Sequence, residues 1–454
     1  MKTPFEMSHV LAFGFCGLVI LVGVLLRAKI KFLQNYLVPS CMIGGLLGMA
    51  LMNLKLIPLG EEFFQAIAYH FFILSFISIG LTRGEKATEG EGGGRGVLRG
   101  ALWMGLINGA SMSTQALLAC LLVLGLWAAG FSMPLEFGLF LPLGFTQGPG
   151  QALAIGKAWE AGGFADAVTI GLAFAAIGFF FALFVGVPLI NWGVRKGYVK
   201  PGVAGGLPDF FRKGYYRQEE QTETMGTMTT HPGNVDPLAF QAGVVGVVYG
   251  ATYLLYFALS RVVGPLSDAA WGFFFFFGLM VGLVARLGFQ KAGAGHMIDP
   301  RTQTRITGFC VDILVASTLI AVKLSVVWEY IVPLLVIALV GGAWTTVYML
   351  YFGRRCEGHG FERMIVQYGC NTGTVSTGLV LLRVVDPDFK TSVAFETGLY
   401  SIFATPFILG TMVVIVYSSK WGLSLYQQMG IYLGLICVGL ILLKVFGLWR
   451  KKQW

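Results

Sequence analysis

Two short runs of glycine, proline, threonine and amide residues interrupt apolar stretches, one in each half of the chain. The first is Thr146-Gln147-Gly148-Pro149-Gly150-Gln151, and the second extends from Gly369 to Gly378 with the sequence GCNTGTVSTG. Inside a bilayer a broken backbone is tolerated only where protein or a water-filled cavity covers it, because an unpaired N–H or C=O is costly there. Free N–H groups at helix starts suit a carboxylate, and neutral carbonyl and hydroxyl oxygens suit sodium. The two runs therefore predict a site for an anion and a hard cation.

The candidate site residues follow from this chemistry. We predict that the substrate ligands are Gln147, Gly148, Gly150, Gln151, Asn371, Thr372, Gly373 and Thr374. We predict that the sodium ligands are Thr146, Ser376 and Thr377, together with two acidic residues inside apolar segments, Asp312 and Glu396. Either acid could instead carry a proton or hold a substrate amine. The alternatives are a salt bridge of Asp312 with Arg305 or another loop cation, and an interfacial contact of Glu396 with Lys390. Each hydroxyl could also bond back to its own helix.

The flanks of the interruptions indicate re-entrant hairpins. The arms Leu135 to Phe145 and Ala152 to Trp159 are apolar, but a span needs about 20 residues. We therefore predict hairpins near 134–158 and 361–385. The alternative is that each interruption is a surface loop between two spans.

The composition is that of a helical membrane protein that crosses the bilayer many times. The chain has 454 residues, of which 56% are hydrophobic and 12% are charged. Its seven cysteines have no C-x-x-C spacing, so neither a disulfide framework nor a zinc site is indicated. The net charge of +9 lies in loops, which argues against a nucleic-acid partner. We predict about eleven full spans, near 8–26, 36–55, 66–82, 97–128, 166–193, 238–260, 271–289, 306–322, 326–352, 391–418 and 427–448.

The basic residues predict the orientation of these spans. With the N-terminus outside and the C-terminus inside, most of the 32 basic residues fall inside, as the positive-inside rule expects. The exceptions are Lys2, Lys55, Lys157, Arg261, Lys323 and Lys420. The first hairpin then enters from outside and the second from inside, which indicates two inverted repeats. The predicted divisions are a first repeat at 1–194, a cytoplasmic linker at 195–237, a second repeat at 238–418, and an extra helix with a basic tail at 419–454.

Several segments resemble the bacterial sodium/glutamate symporter family. The segment Phe32 to Pro39, followed by Gly44-Gly45-Leu46-Leu47, resembles that family's second span, and Ser78-Ile79-Gly80-Leu81 resembles the end of its third. Further matches are Lys157-Ala158-Trp159, Val322-Lys323-Leu324 with Trp328-Glu329, and the stretch from Tyr368 to Gly378. The similarity extends through nearly the whole chain.

The resemblance implies a fold, a function and partners. It implies two inverted repeats in a homodimer that works by an elevator-type movement in the bacterial inner membrane, with substrate and sodium meeting at the hairpin tips. The expected function is sodium-coupled import of a small carboxylate, with glutamate or a related amino acid first. The alternative is a proton- or sodium-coupled transporter of di- or hydroxy-carboxylates. No Arg or Lys falls at either tip, so a second carboxylate would need a partner elsewhere, such as Lys323 or Arg383.

Two other function classes compete with transport. An enzyme is disfavoured because neither H-E-x-x-H nor a nucleophile and base constellation is present. A channel also tolerates broken helices and is not separated from a transporter by sequence. The aromatic run from Trp271 to Phe277 is predicted to face lipid or a dimer scaffold rather than the site.

Overall fold

The computed structural model describes residues 7–82, 93–199, 209–216, 218, 224–263, 271–386, 391–418 and 420–454. Within these ranges the chain is helical and forms no strand. Ten of the described helices are long and apolar enough to cross a membrane. The α-helices are α1 (Ser8–Lys29), α2 (Lys31–Asn35), α3 (Ser40–Asn53), α4 (Glu61–Leu81), α5 (Gly93–Ala128), α6 (Leu135–Phe145), α7 (Pro149–Ala161), α8 (Ala167–Phe184), α9 (Gly186–Arg195), α10 (Asp209–Lys213), α11 (Pro237–Val263), α12 (Phe274–Lys291), α13 (Pro300–Ile320), α14 (Leu324–Glu329), α15 (Ile331–Gly353), α16 (Gly360–Thr372), α17 (Val375–Val385), α18 (Val393–Tyr417) and α19 (Leu425–Val445).

The sequence predicted eleven full spans, but the described residues contain ten helices of sufficient length. The predicted second span, 36–55, is the helix α3 of 14 residues, which reaches only about 21 Å at 1.5 Å per residue. The chain turns before it, because Leu37 has a positive φ of 53° and Pro39 caps the helix. The predicted spans at 306–322 and 326–352 also shift, because α13 begins at Pro300 and α15 begins at Ile331.

Helices from the two halves of the chain pack against each other. α4 lies along α13, and α5 lies along α18. α19 also packs on α5, while α1 packs on α3 and α12 packs on α4. Large apolar side chains remain exposed on α1, α11 and α19, for example Leu18, Val247 and Val445. Such an apolar surface is suited to lipid contact.

Two pairs of short helices lie at the predicted hairpin positions. α6 and α7 have 11 and 13 residues, and α16 and α17 have 13 and 11. Each arm is therefore about 16 to 20 Å long, roughly half of a bilayer's hydrocarbon core of about 30 Å. The two pairs break at 146–148 and 373–374.

Ion pairs lie at both ends of the molecule. At one end, the Lys323 end, Lys323 Nζ lies 2.6 Å from Glu61 Oε1 and 3.6 Å from Asp166 Oδ1. At the other, the Arg354 end, Arg450 pairs with Glu357 at 3.2 Å.

Parts of the predicted linker are described, and Arg27 donates hydrogen bonds there to the carbonyls of Phe211 and Arg212. Residues 200–208, 217 and 219–223 of the linker lie outside the described residues.

Candidate functional site

The two helix breaks, which come from different halves of the chain, meet in the interior. A Cβ placed on Gly148 would lie 3.1 Å from Gly373 O and 3.1 Å from Thr374 Cγ2. The two tips are thus in van der Waals contact, and a methyl group between them would be crowded. The arms that lead to them are buried over most of their length.

Gly148 has a backbone conformation that other residues avoid. Its φ is 81° and its ψ is −178°, a region populated almost only by glycine. Pro149 then occupies the first position of α7, where its fixed φ suits a helix start. These two residues make the sharp break that brings the start of α7 to the start of α17.

Gln115, in the middle of α5, joins both tips. Its Oε1 accepts a hydrogen bond from Thr146 Oγ1 at 2.7 Å, and its Nε2 donates to the Asn371 carbonyl at 3.1 Å. Nε2 also donates to Thr345 Oγ1 on α15 at 2.9 Å. Gln115, Asn371 and Thr345 are fully buried. One amide therefore connects the first tip, the second tip and a neighbouring helix.

The predicted hydroxyl ligands of the second tip bond partly within their own helices. Thr372 Oγ1 donates to the Tyr368 carbonyl at 2.7 Å, and Thr374 Oγ1 accepts from Thr377 N at 3.3 Å as the N-cap of α17. Asn371 Oδ1 lies 3.4 Å from Thr146 Oγ1 across the junction. Ser376 is half-buried one residue into α17. The back-bonding alternative thus holds for Thr372.

The amides of the first tip point to two different neighbours. Gln147 Nε2 lies 3.4 Å from Met112 Sδ on α5. Gln151 Nε2 donates to the Gly272 carbonyl at 2.8 Å, and Gly150 packs against the ring of Phe72. Gly272 belongs to the aromatic run that the sequence assigned to lipid or a scaffold. Phe274, in the same run, is 1% exposed, so this residue does not face lipid.

The contacts of the two predicted acidic ligands are with residues outside the tips. Glu396 forms a two-pronged ion pair with Arg363, with its Oε2 2.6 Å from Nε and its Oε1 2.7 Å from Nη2. Ser392 Oγ also donates to Oε1 at 2.8 Å. Asp312 is exposed on α13, beside the buried Cys41. The structure thus gives Glu396 the partner Arg363, whereas the sequence suggested Lys390, which lies outside the described residues.

The sequence was compared with models of known protein families. The sequence model of the family described as "Sodium/glutamate symporter" matches residues 5–385. The chain belongs to the sodium/glutamate symporter family. The match confirms the resemblance seen in the sequence, and it includes both helix pairs. The comparison with curated proteins found no significant match, and neither did the comparison with solved structures.

This member of the symporter family has buried polar atoms beside its tips that lack hydrogen bonds. In the described part of the chain, no partner exists for Gln151 Oε1, Ser111 Oγ or Gln367 Nε2. All three residues are at most 1% exposed. A buried polar atom without a partner costs about 1–3 kcal/mol. Such atoms mark places where a bound ion, water or substrate would be stabilised.

Sequence reasoning missed Gln115, Thr345 and Gln367. A signal for Gln115 exists, since it ends the polar run Ser111-Met112-Ser113-Thr114-Gln115 inside an otherwise apolar span. Polar residues at that depth tend to face the bundle interior. Gln115, however, is 31 residues from Thr146 and 256 residues from Asn371 in the sequence. No local pattern predicts these two contacts.

A large cavity opens at the Lys323 end beside α7. It has a volume of about 1190 Å³. Its polar and charged lining residues include Glu62, Gln65, His70, Glu136, Lys157 and Lys420. The tip residues do not line it. The cavity therefore reaches the end of the first helix pair that is remote from its tip.

Proposed function

We propose that this protein is a sodium-coupled transporter that imports a small carboxylate, with L-glutamate or a related amino acid as the first candidate. The observation that carries the proposal is the junction of the two helix breaks under the Gln115 bridge. Broken helices that meet within a bundle are typical of secondary transporters. Family membership supports both glutamate and sodium. The alternative remains a di- or hydroxy-carboxylate, with proton or sodium coupling.

The geometry of the tips suits both parts of this cargo. α7 and α17 begin at the junction, so the N–H groups of Gly150, Gln151 and Ser376 lie in positive helix ends that favour a carboxylate. α6 and α16 end there, and their last carbonyls favour a cation. In this proposal sodium is the co-transported ion, and neutral oxygens bind it. Among the predicted sodium ligands, those at the tips are Thr146, Ser376 and Thr377.

The proposed mechanism is alternating access with an elevator-type movement. In this proposal the two helix pairs are re-entrant hairpins of two inverted repeats, and the protein is a homodimer in a bacterial inner membrane. Transport is proposed rather than catalysis or channel conduction. The Lys323 end is proposed to face outside, because arginines such as Arg99, Arg355 and Arg450 gather at the opposite end. The cavity at the Lys323 end then becomes an outer vestibule.

Uptake into proteoliposomes tests the proposal. Radiolabelled glutamate should accumulate when sodium is outside and not when potassium replaces it. The tip variant Gly148→Ala should lower this uptake at least tenfold, because alanine is strained at this φ and its methyl meets Gly373 O. Its matched control is Gly130→Ala, since Gly130 also has a positive φ of 89° but a Cβ there meets nothing within 4 Å.

Three outcomes separate the parts of the proposal. Equal loss in both glycine variants would assign the effect to backbone strain and remove the tips from the proposal. Glutamate flux that does not accumulate against its gradient would indicate a channel. The absence of glutamate uptake under any sodium gradient would exclude glutamate and direct the assay to other carboxylates with proton gradients.

A further inference from the structure

Three buried polar residues form a stripe along α16 from the Arg354 end to the second tip. Arg363, Gln367 and Asn371 are spaced four residues apart, so they lie on one face of the helix. Arg363 is 7% exposed, and the other two are fully buried. Arg363 is held by Glu396, and Asn371 contacts the first tip. Gln367 lies one turn from each of them.

The amide of Gln367 is only half satisfied. Asn371 Nδ2 donates to its Oε1 at 3.3 Å and to its backbone carbonyl at 2.7 Å, which defines the oxygen end of the side chain. Over the ranges that the structure describes, its Nε2 has no acceptor. If the oxygen and nitrogen of the Gln367 amide changed places, its N–H group would face the N–H group of Asn371. The unpaired atom is therefore the nitrogen, which is a hydrogen-bond donor.

A second unpaired group lies on α5, one helical turn from the bridging residue Gln115. α5 and α16 run side by side in the same direction, because Gly100 meets Arg363 near one end and Gln115 meets Asn371 at the other. Ser111 is one helical turn before Gln115, and Gln367 is one helical turn before Asn371. Each therefore lies one turn before a residue that contacts a tip. Ser111 Oγ also has no partner among the described residues.

The chemistry of this pair suits an oxygen that accepts hydrogen bonds, such as that of a carboxylate. Gln367 Nε2 can only donate, and Ser111 Oγ can donate as well. Hydrogen bonds to charged groups are the strong ones in a buried site. The other candidates for a second carboxylate are engaged or distant: Lys323 pairs with Glu61 and Asp166 at one end, and Arg383 is exposed near the end of α17.

We propose that Gln367, assisted by Ser111, binds the second carboxylate of the substrate and thereby selects dicarboxylates over their neutral analogues. The inference rests on the proposed function, because it assumes that the first carboxylate is bound at the tips. Gln367 is then a specificity-determining residue one helical turn below the second tip. Arg363, one turn further, adds a positive charge along the same face, although Glu396 compensates for most of it.

The test compares glutamate with glutamine, which has the same length and a neutral amide in place of the carboxylate. The measurement is the ratio of the concentrations of unlabelled glutamine and glutamate that halve uptake of radiolabelled glutamate. Gln367→Glu places a carboxylate next to the second carboxylate of glutamate and weakens glutamate binding more than glutamine binding. The ratio should therefore fall about tenfold to a hundredfold. Gln367→Met keeps the length but removes the donor, and it should lower the ratio about tenfold.

Gln428→Glu is the matched control. Gln428 is also a buried glutamine with one unpaired amide atom in the described structure, but it lies on α19. It should leave the ratio unchanged. A Gln367→Met protein with normal uptake and a wild-type ratio would overturn the inference and assign the space to water, while the proposed function would stand. A wild-type protein that takes up no glutamate would overturn both.

Discussion

At the residue scale, Gln115 is the side chain on which the arrangement of the tips depends. Its amide makes hydrogen bonds to Thr146 at the first tip and to Asn371 and Thr345 on two helices, and its side chain is fully buried. In such an environment a hydrogen bond is stronger than in water, and an unpaired group is correspondingly costly. The position of each tip is therefore tied to the position of the other through one residue.

Replacing Gln115 should uncouple the tips. Gln115→Leu leaves Thr146 Oγ1 with only its 3.4 Å contact and removes the side-chain donor to the Asn371 carbonyl. Each buried group that loses its partner costs about 1–3 kcal/mol. We expect sodium-dependent uptake to fall at least tenfold, and a lower melting temperature in detergent. Gln428→Leu serves as the control, and wild-type uptake by Gln115→Leu would contradict this role for the bridge.

The pair Arg363 and Glu396 leads to a different expectation. Glu396→Gln leaves the buried guanidinium without its counter-charge, a change that typically costs about 3–5 kcal/mol. The double variant Arg363→Met, Glu396→Leu removes both charges and should recover most of the lost stability. Thermal unfolding of the two variants in detergent measures this difference.

The same variants test the predicted sodium role of Glu396. A structural ion pair predicts that the double variant keeps the sodium dependence of uptake. A tenfold rise in the sodium concentration for half-maximal uptake would instead favour Glu396 as a sodium ligand. The sequence showed that the acid was deep in an apolar segment, but its partner lies 33 residues away and could not be identified from spacing.

At the element scale, the short helix pairs could be predicted and the short span could not. The pairs follow from Gly and Pro punctuation between apolar arms, which is a local signal. α3 is apolar over a stretch long enough to suggest a span, but the turn at 36–39 shortens it. That turn depends on a non-glycine residue, Leu37, with a positive φ, which local sequence does not predict.

The C-terminal tail is an element whose contacts the sequence did not suggest. After α19 it returns to the segment before α16, where Arg450 N donates to the Arg355 carbonyl and Gln453 N donates to the Arg354 carbonyl. The ring of Trp454 lies 5.5 Å from that of Phe361 and 4.8 Å from that of Tyr198. The tail thus covers the base of the second helix pair, beyond the residues that match the family.

Removing the tail should expose the base of α16. Cys356 is 3% exposed there, and burial raises the pKa of its thiol to about 11, although Arg363 acts in the opposite direction. Deleting residues 450–454 should admit water, lower this pKa towards its usual value and speed modification by a maleimide at least tenfold at neutral pH. The same deletion with Cys356→Ser gives the background. An unchanged rate would mean that the tail is dispensable for this packing.

At the scale of the whole molecule, composition and loop charges predicted a helical membrane protein, and family membership confirms the resemblance. The packing of α4 on α13 and of α5 on α18 could not be predicted, because it joins residues that are hundreds of positions apart. Apolar patterns indicate that a face is buried but not which helix covers it. In the candidate site, the tip residues could likewise be predicted from local sequence. The helix α5, whose Gln115 bridges the tips, could not.

The orientation in the membrane can be measured directly. Ala161 lines the cavity at the Lys323 end and is exposed, whereas Gln453 is exposed at the Arg354 end. In intact cells a membrane-impermeant maleimide should label Ala161→Cys and not Gln453→Cys, with the wild-type protein as the background. After permeabilisation both should react. The reverse pattern would place the arginine-rich end outside, against the positive-inside rule, and would turn the proposed outer vestibule into an inner exit. The expected pattern would instead make this cavity the side from which a substrate approaches the first helix pair, because α7 forms part of its wall.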